Sequence, residues 1–370
     1  MNSIKKIAWI TGDNFLDSDV PVIPEISKKN TIHWFVIFPL KRVNDYNCEY
    51  ISAFSAEAGI RNENIRINSR LRAIRVISVY YRLIRKINML KPDIIYINFL
   101  GLPYFSFLAY IFLNRKKVIF AAHDVVEHKN LKSRKYLGLY QRFIFRNFRN
   151  FHIFSKTQRA IFTKKFPGKK TFFAPQYLKT YGTCRTKSDE DSITFLFFGI
   201  IRENKGLEFL IEAANQLGAT HKNKFKVIIA GKCDNWGYYE KRIACPEVFD
   251  LRIGLIPNDE IPGLFGRSHY LVLPYLDVTQ SGPMLIAFNY NKPVIASNHP
   301  GFKEHITHGK NGFLFEPENS NELYRVMLGI VESNNSGYAT LQKNLEEYVH
   351  QNISLEPIIN SYTSFFNSVS

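Results

Sequence analysis

Cysteine is scarce in this chain: 370 residues hold four, Cys48, Cys184, Cys233 and Cys245. Their spacings form neither a CxxC pair nor a disulfide-dense framework, so they read as free thiols in a reducing compartment. A secretory leader is not expected either. The opening MNSIKKIAWITGD has too short an apolar run and passes directly into a turn, so a cytoplasmic chain is expected. Neither GxGxxG nor GxxxxGK[ST] occurs, which disfavours a nicotinamide dehydrogenase or a P-loop kinase, and no GxSxG elbow is found. His299, Glu304, His305 and His308 lie close in sequence but lack HExxH spacing, and HDVVEH at 123–128 is no zinc pattern. No metal and no cofactor are therefore expected. Repeats of 20 to 50 residues and low-complexity tracts are absent as well.

Acidic residues are few in one half only. Residues 1–190 carry 34 Lys and Arg against 13 Asp and Glu, a balance of +21, whereas 191–370 carry 15 against 19, or −4. The formal net charge of +17 thus belongs to the first half. Such a charge suits nucleic acid or an anionic membrane. No RRM, KH or zinc-finger signature accompanies it, so nucleic acid is not expected as a partner, and a basic nucleic-acid-binding protein stands only as an alternative.

What is present is ample apolar material: 45% hydrophobic and 15% aromatic residues. The length exceeds what one core usually covers, so two domains are expected. Short β-branched and aromatic runs alternate with amphipathic stretches of helical length, the pattern of parallel sheets with crossover helices. Strands are expected at 7–11, 33–38, 93–98, 118–122, 151–155 and 171–174, then at 193–199, 226–230, 251–255, 270–274, 293–297 and 312–315. The fold class is α/β. We place a first Rossmann-like domain at 1–180, a polar linker at 181–192, a second such domain at 193–345 and a C-terminal helix at 346–370 that packs back towards the first.

Three basic or apolar segments stand out in the first half. In an expected helix at 70–90, Ile74, Ile77, Tyr81 and Ile84 share one face, expected as core, and Arg72, Arg75, Arg82, Arg85 and Lys86 fill an adjoining arc. Residues 94–114 are uncharged, but Gly101 and Pro103 break them, which favours a buried strand, loop and helix over a membrane span. A cluster of Lys129, Lys132, Arg134, Lys135, Arg142, Arg146 and Arg149 is interleaved with Tyr136, Tyr140, Phe143, Phe145 and Phe148. Cations among aromatics suit an anionic membrane surface, and could also suit single-stranded nucleic acid.

Ligands of open α/β sheets bind beyond the carboxyl ends of strands, where loops and helix N-termini supply N–H donors. One such exit, FGIIRENKG, places Arg202 and Lys205 after Gly199, where two cations could neutralise a diphosphate. Another, LPYLDVTQSGPM, leads through Thr279, Gln280, Ser281, Gly282, Pro283 and Met284 into a helix that Ser281 is expected to cap. A third exit carries Glu304, an acceptor for a polar ligand, and in the first half His123 and Asp124 follow the apolar VIFAA.

Taken in order, GIIRENKG, an IAG strand end, GLIPNDEIPGLF, KPVIAS, PGFKEHI and NGFLFEP resemble the retaining glycosyltransferases of family 4 over roughly 193–327, with KPDIIYIN and the His123-Asp124 pair agreeing in the first half. The resemblance implies a GT-B fold, two Rossmann-like domains facing a cleft, and a nucleotide-diphosphate sugar as donor. It further implies Arg202 and Lys205 on the diphosphate and Gly199, Gly231 and Ile256 near the nucleotide. Residues 279–284 and Glu304 would meet phosphate and sugar, and Gly12, Asp13, Asn14 and Asp124 would line the acceptor side. His123 would touch the donor sugar. A lipid-linked or polysaccharide acceptor at the inner face of the cell membrane, in bacterial surface polysaccharide assembly, is the setting the family suggests. In one respect the chain departs from the family. The two glutamates usually separated by seven residues are replaced by Val278 or Thr279 and by Ile286, and a non-catalytic GT-B subunit is the alternative that this departure raises.

Overall fold

The computed structural model describes residues 4–369 apart from 42–45, 72, 100–102, 126–134, 185, 187 and 189–190. The chain divides into two units, Met1–Tyr177 with Leu355–Ser370, and Leu178–Ser354. The strands of the first are β1 (Lys6–Gly12), β2 (Thr31–Pro39), β3 (Arg61–Ile67), β4 (Ile94–Asn98), β5 (Val118–Ala122), β6 (Asn150–Ile153) and β7 (Lys170–Phe173). They form one parallel sheet in the order β3-β2-β1-β4-β5-β6-β7. The second unit has β8 (Ile193–Phe198), β9 (Phe225–Gly231), β10 (Phe249–Ile253), β11 (Tyr270–Leu273), β12 (Val294–Ser297) and β13 (Gly312–Phe315), also parallel, in the order β10-β9-β8-β11-β12-β13.

Both sheets are buried on both faces, as parallel sheets must be when crossover helices cover them. Alternation along β1 sends Ala8 and Ile10 into one core and Ile7 and Trp9 into the other. The first core receives Val76, Tyr80, Leu83, Ile84 and Ile87 from the helix Val76–Leu90, at the spacing of a single helical face. The opposite core is closed by the helix Leu355–Ser368, which contributes Ile358, Tyr362, Phe365 and Phe366. Tyr362 lies 5.8 Å from Trp9 and 5.7 Å from Tyr96, ring centre to ring centre.

Twelve of the strands lie within about two residues of their expected positions, and β3 was not anticipated. Its sequence, RNENIRI, has a single fully buried residue, Ile67, because it forms the outer edge of the sheet and needs no continuous apolar run. Strand β10 falls earlier than the expected 251–255: Phe249 to Ile253 pair with Val227 to Gly231, and Leu255 is 86% exposed.

Four further expectations are corrected. The helix expected at 70–90 begins at Val76, which places Ile74 outside it, 78% exposed, and turns Tyr81 outwards, 46% exposed. Ile84 alone of the four expected core residues is fully buried. Within 94–114, β4 is buried, but the helix Pro103–Phe112 leaves Phe107, Ile111 and Phe112 exposed. The stretch 181–192 lies within the second unit rather than between units: the Tyr181 N–H donates to the Tyr290 hydroxyl at 3.2 Å, and Tyr290 donates to the carbonyl of Gly182. The segment 346–370 likewise divides. Its first part ends the helix Tyr338–Asn352 of the second unit, and the helix that joins the first unit starts at Leu355.

Candidate functional site

In the second unit the ends of β8, β9 and β11 meet at close approaches that only glycine permits. A methyl built on Gly231 would stand 1.8 Å from the Gly199 carbonyl oxygen, and one on Gly206 would stand 2.0 Å from that of Pro274. Gly206 also has φ of 60°, the left-handed conformation that ends the turn Glu203–Lys205. The Leu276 N–H donates to the Asn204 carbonyl at 3.1 Å, tying this turn to the exit of β11.

Lys205 is held by that geometry. Its ammonium sits 3.7 Å above the centre of the Tyr275 ring, an ammonium–aromatic contact. Burial, followed by the neighbouring Arg202 guanidinium, pushes its amine down to about 8. Tyr275 is itself buried, and its carbonyl accepts from the Ser297 hydroxyl at 2.7 Å and from His299 Nε2 at 3.0 Å. His299 is thereby occupied as a donor. His305 lies 2.9 Å from the Tyr348 hydroxyl and His308 3.0 Å from the Leu314 carbonyl. Among the described residues no group of three or more His, Cys, Asp or Glu lies together in a way that could hold a metal ion.

The loop after β11 leads into the helix Gly282–Asn289. Ser281 caps it, accepting from the Met284 N–H at 3.3 Å, with Pro283 in the first turn. A methyl on Gly282 would stand 3.6 Å from Lys179 Nζ, so a third cation approaches this helix N-terminus. Gln280 Nε2 is buried without a hydrogen-bond partner, and the carbonyls of Val278 and Thr279 would each lie 3.0 Å from a methyl on Gly301. Val278 packs against the core, and Ile286 is part of it, 3% exposed. Ile256 is half-buried on the loop after β10, and Glu304, half-buried, ends the short helix Pro300–Lys303. Arg202 is exposed. Gly199, Arg202, Lys205, Gly231 and 279–284 are thus set on neighbouring strand exits of one sheet, with Ile256 and Glu304 on the loops beyond.

In the first unit the exits of β1, β4 and β5 meet in a buried polar chain. Asp19 accepts from Trp9 Nε1 at 2.9 Å, from the Thr11 hydroxyl at 2.5 Å and from Asn98 Nδ2 at 2.9 Å. Thr11 in turn accepts from Trp34 Nε1 at 2.8 Å. Burial pushes the Asp19 carboxyl up to about 7 against these three donors. Asn98 Oδ1 stands 2.8 Å from His123 Nε2, which makes that nitrogen the donor. The imidazole lies between Phe15 and Phe154, each 4.1 Å away and nearly parallel to it, and its Nδ1 is 3.3 Å from Gln176 Nε2. His123 is consequently fixed in one tautomer and one orientation. Gly12 packs on Phe99, which a methyl would meet at 2.7 Å; Asp13 is buried, Asn14 is exposed and Asp124 is half-buried.

Asp19, Asn98, Tyr275 and Lys179 escape a reading by motif. Asn98 ends KPDIIYIN, so the rule of strand exits could have found it. Tyr275 follows Pro274 at another exit, but nothing in sequence announces that it would carry Lys205.

Residues 192–333 match the family described as Glycosyl transferases group 1. A protein of Methanocaldococcus jannaschii described as "Uncharacterized glycosyltransferase MJ1607" is 27% identical over 139 residues, 36% of this chain and 34% of that protein. The match therefore spans about a third of the curated relative's length. Among solved structures, a glycosyltransferase from Rickettsia africae ESF-5 superposes with a TM-score of 0.74 at 16% identity, over 99% of each chain. Anabaena Alr3699/HepE, in complex with UDP and glucose, superposes with a TM-score of 0.73 at 15% identity, over 98% of this chain and 100% of the other. The fold is GT-B, built from two Rossmann-like parallel-sheet units.

Proposed function

We propose that this chain is a retaining glycosyltransferase of family 4, which moves a hexosyl group from a nucleotide-diphosphate sugar to a lipid-linked or polysaccharide acceptor in bacterial surface polysaccharide assembly. The observation that carries the reading is the placement of Lys205, with Arg202 as its neighbour, on Tyr275, whose side chain hydrogen-bonds Ser281, the cap of Gly282–Asn289. A half-desolvated cation and oriented N–H donors at one sheet end suit a diphosphate, and neighbours in fold include one that holds UDP.

In the reaction the C1–oxygen bond of the donor breaks and its electron pair stays on the diphosphate. Lys205 and Arg202 stabilise that developing charge, and no metal is required. The acceptor hydroxyl bonds to C1 from the face the diphosphate leaves, and its proton passes to the departing phosphate oxygen. No carboxylate stands at Val278, Thr279 or Ile286 to serve as base. Gln280 offers its unpartnered Nε2 as a donor towards a hydroxyl oxygen of the sugar. His123, fixed by Asn98, presents a constant ring on the acceptor side with Gly12, Asp13, Asn14 and Asp124.

The test is release of nucleoside diphosphate from a panel of nucleotide sugars with lipid-linked acceptors supplied, paired with thermal-shift screening of the same donors. Lys205→Ala should lower turnover roughly a hundredfold or more. Failure of every donor both to stabilise the protein and to release nucleotide would overturn the proposal.

A further inference from the structure

The first unit carries a cation-fringed apolar surface that the candidate site does not use. Three consecutive helices cover one face of its sheet: Val76–Leu90, Pro103–Phe112 and Lys135–Asn147. Their inner sides fill the core, yet large apolar side chains also point outwards. Phe107 is 52% exposed, Ile111 62%, Phe112 44% and Leu139 64%. Tyr81 packs edge-on against Phe112 at 5.5 Å, and Phe107 stacks on Phe143 at 4.6 Å, so these residues form one patch across the helices. The helix Pro103–Phe112 contains no charged residue. Single exposed apolar residues are ordinary on a protein surface, but a contiguous group marks a contact.

The surroundings identify the occupant. Exposed cations stand on or next to all three helices: Arg82 and Arg85 on the first, Arg115 and Lys116 just beyond the second, and Arg142 and Arg146 on the third. Arg115 folds over the Tyr110 ring at 4.4 Å, keeping its guanidinium beside the aromatics. From 128 to 188 the sequence has no Asp or Glu and 16 Lys and Arg. Among the described residues no helix is long and apolar enough to cross a membrane, so this surface can lie on a bilayer without any helix passing through it.

We infer that these three helices dock on an anionic lipid bilayer, with Phe107, Ile111, Phe112 and Leu139 entering the headgroup boundary and the arginines pairing with lipid phosphates. Apolar insertion ringed by cations is what a lipid interface recognises. A nucleic acid would use the cations but leave the aliphatic Ile111 and Leu139 without partners, since only flat rings stack on bases. The inference deepens the lipid-linked acceptor reading and is separable from it: vesicle binding needs no donor, and nucleotide binding needs no vesicle.

Co-sedimentation of the full chain with vesicles of phosphatidylcholine, with and without phosphatidylglycerol, tests it. The protein should pellet with the anionic vesicles only, and binding should weaken as salt is raised. Phe107→Ser with Ile111→Ser should weaken binding at least about tenfold, and Arg85→Ser with Arg115→Ser by roughly fivefold for each cation removed. Leu255→Ser, which removes a still more exposed apolar residue of the second unit, should leave it unchanged. Circular dichroism of each variant establishes that it is folded. The inference is overturned if the protein ignores anionic vesicles at low salt, if Phe107→Ser with Ile111→Ser binds as the parent does, or if a single-stranded oligonucleotide displaces the vesicles while that double variant binds it equally well.

Discussion

Asp19 and His152 are both fully buried in the first unit, and they titrate in opposite senses. His152 sits with Nε2 2.9 Å from the Ala174 carbonyl and Nδ1 2.6 Å from the Tyr96 hydroxyl, and burial pushes its imidazole down to about 3. A histidine lowered from its ordinary value stabilises the fold fully above about 6.5, and that contribution is lost as pH falls towards 3. Asp19, raised to about 7 by burial, acts the other way: its contribution is complete below about 3.8 and is lost as pH rises to 7. Each amounts to a few kcal/mol, on the order of 1.4 per pH unit of its window. Between pH about 4 and 6.5 the two contributions oppose each other. Asp19→Asn should unmask the histidine, and stability should then fall by about 1.4 kcal/mol per pH unit on acidification; an unchanged profile would refute the assignment.

At the same scale, Lys205 predicts a pH dependence of ligand binding. Its amine, lowered to about 8, loses charge above that value, so affinity for a nucleoside diphosphate measured by calorimetry should decline as pH rises through 8. Tyr275→Leu removes the ring beneath the ammonium and should weaken that affinity by roughly three- to tenfold. The sequence displays Arg202 and Lys205 because their spacing is short and local. It conceals Asp19, Asn98 and Tyr275 because their roles exist only after distant strand ends meet.

Among elements, the strands were legible wherever both faces are buried. VIFAA and IIYIN announce themselves as unbroken apolar runs, whereas RNENIRI at the sheet edge does not. The phase of the helix Val76–Leu90 departs from expectation for a related reason. With exposed Ile74 and Tyr81 counted as core, the apolar side chains mark two stripes, and sequence alone does not say which one faces protein. Gly231 gives the sharpest element-level prediction. Gly231→Ala would drive a methyl into the Gly199 carbonyl, so the β8 and β9 exits should part and thermal stabilisation by nucleotide should disappear, while circular dichroism stays close to the parent.

For the molecule as a whole, the charge asymmetry of the sequence coincides with the division into two units: the acid-poor half is the unit with the exposed aromatic helices. The first unit is not continuous in sequence, because Leu355–Ser368 supplies part of its core. Tyr362→Ala should cost about 3 kcal/mol, read from urea denaturation, since it empties a space bounded by Trp9, Tyr96 and Phe172. A ribosome emits the seven strands of that unit long before it emits this helix. Until residues 355–368 emerge, the face bearing Trp9 and Tyr96 is covered only in part, by Leu16, Ile23, Ile26 and Ile51, and the whole second unit is synthesised in the interval. Folding of the first unit is therefore completed only after the second has been made, and the nascent chain should depend on chaperones for that period.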